Sequence, residues 1–107
     1  MEFINTIKLQ GVVGASQISP VNGMKVARFS LMTEYTSNSK DGCMMVESTW
    51  FSVTAWEGNK ITDLDKIGRG SKVHVIGRVR VRRFMDENGH DRQCWEVMAS
   101  ELNIVEE

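Results

Sequence analysis

The sequence has 107 residues, of which 25% are charged and 41% hydrophobic, and its net charge is −1. This length suits one domain, residues 1–107, with one modest core. No apolar run reaches membrane-spanning length, and Met1-Glu2-Phe3-Ile4-Asn5 lacks the basic and apolar regions of a signal peptide, so a cytoplasmic, nucleoid-associated protein with no membrane partner is expected.

Ile7, Leu9, Gly11 and Val13 share one parity and predict a first strand over residues 5–14, since successive strand side chains face opposite sides. Gly11 and Gly14 suggest a bend or bulge there. Residues 15–23 are expected to form a loop closed by Pro20 and the Asn22-Gly23 turn signal. The second strand, 24–33, sets Ala27, Phe29 and Leu31 against Val26, Arg28, Ser30 and Met32. Residues 34–45 show no periodicity and read as a long mobile hairpin loop. In the third strand, 46–56, Thr49, Phe51, Val53 and Ala55 share one face, and Phe51, Val53 and Ala55 supply its core. Trp50 and Trp56 stand on the opposite face among Ser48, Ser52 and Thr54. Ile61, Leu64 and Ile67 then recur at helical spacing, predicting a short helix that plugs a barrel end and stops at Gly68 and Gly70.

The fourth strand, 72–84, alternates strictly. Val73, Val75, Gly77, Val79 and Val81 are expected on the core side, and His74, Ile76, Arg78, Arg80, Arg82 and Phe84 outside. Asn88-Gly89 is a two-residue hairpin signal. The last strand, 92–105, changes parity near Ser100, from Trp95, Val97 and Ala99 to Leu102 and Ile104, and a bulge there accounts for the change. Trp95 fits either side. Three strands, a short helix and two strands give an all-β, five-stranded Greek-key OB-fold barrel.

Charge is segregated along this layout. Residues 66–92 hold eight basic and three acidic side chains, a net +5, while the remaining residues hold five and eleven, a net −6. A local positive stripe governs polyanion binding more than the total does. Arg78, Arg80 and Arg82 project at a strand spacing of roughly 6.6 Å, which lets guanidinium groups follow a flexible phosphate chain. Rings offer stacking surfaces and cations hold the backbone, the two elements of single-strand binding. The DNA-binding candidates are therefore Trp50, Trp56 and Phe84 with Arg78, Arg80, Arg82, Arg28, Lys72 and Arg92. Arg80 and Arg82 rank above Arg78 because they lie nearer Phe84. The competing reading makes Trp50 and Trp56 core residues and the arginines a solvated face. No recognition helix favours duplex DNA.

A metal-dependent nuclease or hydrolase is the main competitor of another class, and the sequence carries no catalytic glycine, serine or His-Glu-x-x-His motif for it. His74 reads as a surface histidine. Cys43 and Cys94 read as reduced thiols, because their spacing to each other and to the histidines does not suit zinc. No cofactor and no metal are expected.

The chain resembles the bacterial and mitochondrial single-stranded DNA-binding protein family from Asn5 to about Val105. The resemblance rests on Asn5-Thr-Ile-Lys-Leu-Gln-Gly-Val-Val-Gly, Val26-Ala-Arg-Phe-Ser-Leu, Ser48-Thr-Trp-Phe, Lys66-Ile-Gly-Arg-Gly-Ser-Lys-Val and Arg82-Arg-Phe-Met-Asp with Gly89-His-Asp-Arg. It implies base stacking by Trp50, Trp56 and Phe84, dimers through the first strand, and usually a homotetramer, with a dimer as the alternative. The implied activity is sequence-independent binding and protection of single-stranded DNA in replication, recombination or repair. Ser37 falls where an aromatic is usual, with Tyr35 a near neighbour. The sequence closes on Ile104-Val105-Glu106-Glu107, without the acidic tail through which bacterial members recruit replication and repair proteins, so such recruitment is not expected. A dimeric adaptor like the primosomal replication protein of the same fold is the runner-up.

Overall fold

The computed structural model describes residues 1–105; Glu106 and Glu107, the residues on which the reading of a missing acidic tail rests, lie outside the described residues. Five strands are present: β1 (Ile7–Val21), β2 (Met24–Asn38), β3 (Met44–Trp56), β4 (Lys72–Met85) and β5 (Asp91–Ile104). They close into a barrel in the order β1-β2-β3-β5-β4. All neighbours are antiparallel except β3 and β5, whose short parallel contact, Val53 with Val97 and Thr54 with Met98, shuts the barrel.

The predicted alternation locates the core. Val13, Ala27, Phe29, Leu31, Val53, Ala55, Val73, Val75, Val97 and Leu102 point inward and are buried. Burying each of the larger aliphatic side chains contributes about 1.5–3 kcal/mol. The helix expected between β3 and β4 is reduced to a single 3-10 turn, Leu64–Lys66, whose Asp63 cap accepts a hydrogen bond from the Asp65 N–H. It still plugs the barrel, because Leu64 and Ile67 join the central cluster. Lys25 of β2 ties the turn down through Asp65, whose hydrogen bond and charge hold the Lys25 ammonium above the ordinary lysine value.

Three expectations about the extent and burial of the strands change. The loop expected at 15–23 is strand, because β1 bulges between Val13 and Ser16 and runs on to a tight turn at Asn22 and Gly23. Both turn residues have positive φ, 51° and 82°, the geometry that matches strand twist and suits Asn-Gly. The loop expected at 34–45 is a paired hairpin arm, with Glu34 opposite Ser48 and Asn38 opposite Met44. Val79 is only half-buried and Val81 is exposed, because β4 leaves the barrel there and continues as a second arm with β5. The bulge expected near Ser100 is present. Ile76 pairs with Glu101 and Gly77 with Ala99, and the Ser100 hydroxyl donates to the Ile76 carbonyl. Gly77 permits this close approach, since a Cβ there would collide with the Met98 carbonyl.

Both arms close with the same chain geometry. In one, the Ser39 N–H donates to the Cys43 carbonyl and Gly42 takes a φ of 79°. In the other, the Asp86 N–H donates to the His90 carbonyl and Gly89 takes a φ of 77°. Each is a turn followed by a left-handed glycine, the usual three-residue hairpin loop. The two-residue turn expected at Asn88-Gly89 is thus lengthened by one residue.

Candidate nucleic-acid interface

The outward parity of β2 and β3 carries Arg28, Ser30, Trp50 and Ser52 to one surface. There Arg28, Trp50 and Arg82 line a single groove, floored by Ser16, Gln17, Ser30 and Ser52. Trp50 is 59% exposed although it lies in the middle of a strand. Its ring is seated by β1: a Cβ built on Gly14 would lie 2.7 Å from Trp50 Cζ3. Glycine at that position is what lets the indole rest across the bulge. Arg82 arrives from the β4–β5 arm, with its guanidinium carbon 5.7 Å from the centre of the Phe84 ring. That is cation–π distance, so Arg82 ties Phe84 to the edge of the groove. Among the described residues, neither Arg28 nor Arg82 enters an ion pair.

The other candidates lie elsewhere. Trp56 ends β3 opposite Val26 and does not line the groove. Arg78 lines a separate hollow with Asn5 and Thr6. Lys72 opens β4 opposite Val12. Arg80 is committed to an acid: its Nε donates to Glu96 Oε1 at 2.6 Å. Glu96 Oε2 accepts from the Thr54 hydroxyl at 3.0 Å, and the Glu96 side chain is only 1% exposed. This network spans β3, β5 and β4 where the barrel closes. The sequence reading missed Glu96, and finding it requires the length of the hairpin loop. Trp95, unassigned from sequence, is 72% exposed.

Arg92 is likewise engaged, at the tip of the β4–β5 arm. Its Nε donates to Asp86 Oδ2 at 2.8 Å, while Asp86 Oδ1 accepts the N–H groups of Asn88 and His90, each at 2.9 Å. Arg92 first, then these amides, hold the Asp86 carboxyl below its ordinary value. A depressed carboxylate stabilises the fold above the unfolded value of about 3.9, and that contribution disappears as pH falls through the lower folded value. The amide resonances of Asn88 and His90 should therefore move together in acid with a midpoint below that of free aspartate. Asp86→Asn should abolish the transition. A midpoint at the free-aspartate value would show that these bonds do not hold the tip in solution.

Among the described residues, no group of three His, Cys, Asp or Glu side chains could hold a metal ion, and no helix is long and apolar enough to cross a membrane. A closed five-stranded barrel with an exposed indole that shares a groove with two arginines defines an OB-fold binding protein. The chain matches the single-strand binding protein family over residues 4–105, and it belongs to that family. Membership marks it as a non-catalytic protein.

The chain is similar to single-stranded DNA-binding protein 1 of Xylella fastidiosa strain 9a5c, at 28% identity over 108 residues, covering 98% of this chain and 79% of that protein. It is also similar to the single-stranded DNA-binding protein of Neisseria meningitidis serogroup A, at 24% identity over 86 residues, covering 78% of this chain and 48% of that one. The chain thus spans about half the length of the Neisseria relative. Among solved structures, the Plasmodium falciparum SSB in complex with single-stranded DNA superposes with a TM-score of 0.79 at 26% identity, covering 99% of this chain and 98% of that one. The small single-stranded DNA-binding protein from Streptomyces coelicolor shares the fold, with a TM-score of 0.70 at 21% identity, covering 98% and 96%.

Proposed function

We propose that the chain, residues 1–107, acts as one domain that binds single-stranded DNA without sequence preference and protects it during replication, recombination or repair. One observation carries this reading: Trp50 stands exposed in a groove whose flanking arginines, Arg28 and Arg82, have no acidic partner among the described residues. Stacking on an indole is base-tolerant, because every base has a π-face, and the arginines neutralise the backbone. Family membership and the likeness to the Plasmodium protein, solved with single-stranded DNA, support the same reading. Phe84 extends the stacking surface through Arg82, and Trp56 offers a separate ring at the end of β3. The free thiols of Cys43 and Cys94 fit the reducing cytoplasm.

The test is a fluorescence titration with oligo-dT, set beside a duplex of equal length. Oligo-dT should quench the tryptophans and remain intact without added metal. Equal affinity for duplex would overturn the proposal. The salt dependence then identifies phosphate contacts. Arg82→Met should shallow the slope of log affinity against log salt by about 0.7, the single-strand value per phosphate. An unchanged slope would remove Arg82 from the interface.

The binding unit is a homotetramer in this reading, or failing that a dimer. Phe3 and Ile4, largely exposed ahead of β1, supply apolar surface for such contacts. Light scattering at micromolar concentration that returned a monomer would sink the assembly proposal and leave the binding proposal standing.

A further inference from the structure

Trp95 is the most exposed of the three tryptophans, at 72%. It sits on the β4–β5 arm opposite Val81, where the sheet has left the barrel. A tryptophan this exposed departs from the residue's usual burial. It does not stand alone, because Trp95 and Trp50 line one depression together with Ser52, Val79 and Glu96. Trp50 also lines the groove of Arg28 and Arg82. Two concave surfaces therefore share one indole.

We infer that the Trp50–Trp95 depression is a second base-binding subsite, occupied by an unpaired base of the same strand whose backbone lies along the Arg28–Arg82 groove. This rests on the single-strand reading above and extends it to a residue outside the candidate set. Charge favours a nucleic acid as occupant. Glu96 is the one ionisable residue that lines the depression, and a bare carboxylate there would repel a polyanion. Glu96 is instead paired with Arg80 through one oxygen and bonded to Thr54 through the other. The depression presents aromatic and aliphatic walls with a neutralised floor, and the arginine groove adjoins it. Such walls stack any base and read no edge pattern.

The experiment isolates Trp95 as the only indole. Trp50→Phe and Trp56→Phe together keep a ring at both positions and leave Trp95 as the sole tryptophan reporter. Binding is followed separately by the anisotropy of end-labelled oligo-dT. Trp95 emission should be quenched along the same isotherm as the anisotropy. Rising anisotropy with constant Trp95 emission would overturn the subsite and leave single-strand binding intact; wild-type protein that ignored oligo-dT would overturn the parent reading. As a second measurement, Trp95→Thr in the otherwise native chain should weaken oligo-dT binding by about 5- to 150-fold, the range for one lost stacking contact. Unchanged affinity also overturns the subsite. If Trp95→Thr lowers the mass on dilution and leaves affinity alone, the depression holds a second copy of the chain.

Discussion

Arg80→Met should destabilise the protein by about 3 kcal/mol, because it strips the partner from a buried carboxylate. Glu96 is almost wholly buried, and Arg80 supplies the hydrogen bond on one of its oxygens. With Arg80 gone, the Thr54 hydroxyl alone would face a charge shut away from water. For a domain of this size the loss corresponds to a fall in Tm of roughly 10–20 °C. Arg80→Met combined with Glu96→Met should recover much of it, since an apolar replacement of both partners leaves no orphan charge. Thermal unfolding of the single and double variants checks this. The sequence alone placed Arg80 among the phosphate contacts. An Arg80→Met protein with unchanged Tm and a salt slope shallower by about 0.7 would restore that role.

Trp50→Ala should produce the largest loss of binding among the aromatic substitutions, about 1–3 kcal/mol per base stacked. Trp50 is the one indole that lines both the arginine groove and the adjoining depression, and it is exposed in them, so the upper end of that range is expected. Stability should change little, because the ring is mostly exposed. Gly14→Val tests the seat of the ring independently. Its side chain would occupy the space of Trp50 Cζ3 and the Ser30 hydroxyl and displace the indole from its seat, so it should weaken oligo-dT binding although the tryptophan itself is retained. Titrations of both variants against oligo-dT, with unfolding curves alongside, decide the matter. If Trp50→Ala binds like the native chain, the groove is not the interface. If it unfolds, the indole belongs to the core.

Inside the barrel, sequence reading and structure agree because one side of each strand is dry. Ala27, Phe29 and Leu31, then Phe51, Val53 and Ala55, alternate with polar neighbours, and their inward placement follows. The same parity puts Trp50 and Trp56 outside, and the phase change in β5 marks the bulge at Ser100. In the arms this signal fails. Both faces of a protruding hairpin meet solvent, so no apolar period is required, and residues 34–38 read as loop although they pair with β3. Asp41-Gly42 was the available signal, since Gly42 takes the left-handed position of the hairpin loop. The error runs the other way at Val79 and Val81, where valines persist because β-branched residues suit extended backbone even where little is buried.

The sequence by itself determined an all-β barrel and, inside the barrel, the core side of the strands, and it favoured the exposure of Trp50 and Trp56, because side-chain alternation is a local property of the chain. Tertiary structure alone decided which charged residues meet. A two-residue turn at Asn88-Gly89 would have set Arg80 opposite Val97. The three-residue loop sets it opposite Glu96, and Phe84 opposite Arg92. One residue in a turn therefore engages Arg80 inside the fold and leaves Arg82 beside Trp50. Likewise, nothing local to Trp50 or Trp95 reveals that they share a depression, because they lie on strands joined only by the parallel contact that closes the barrel.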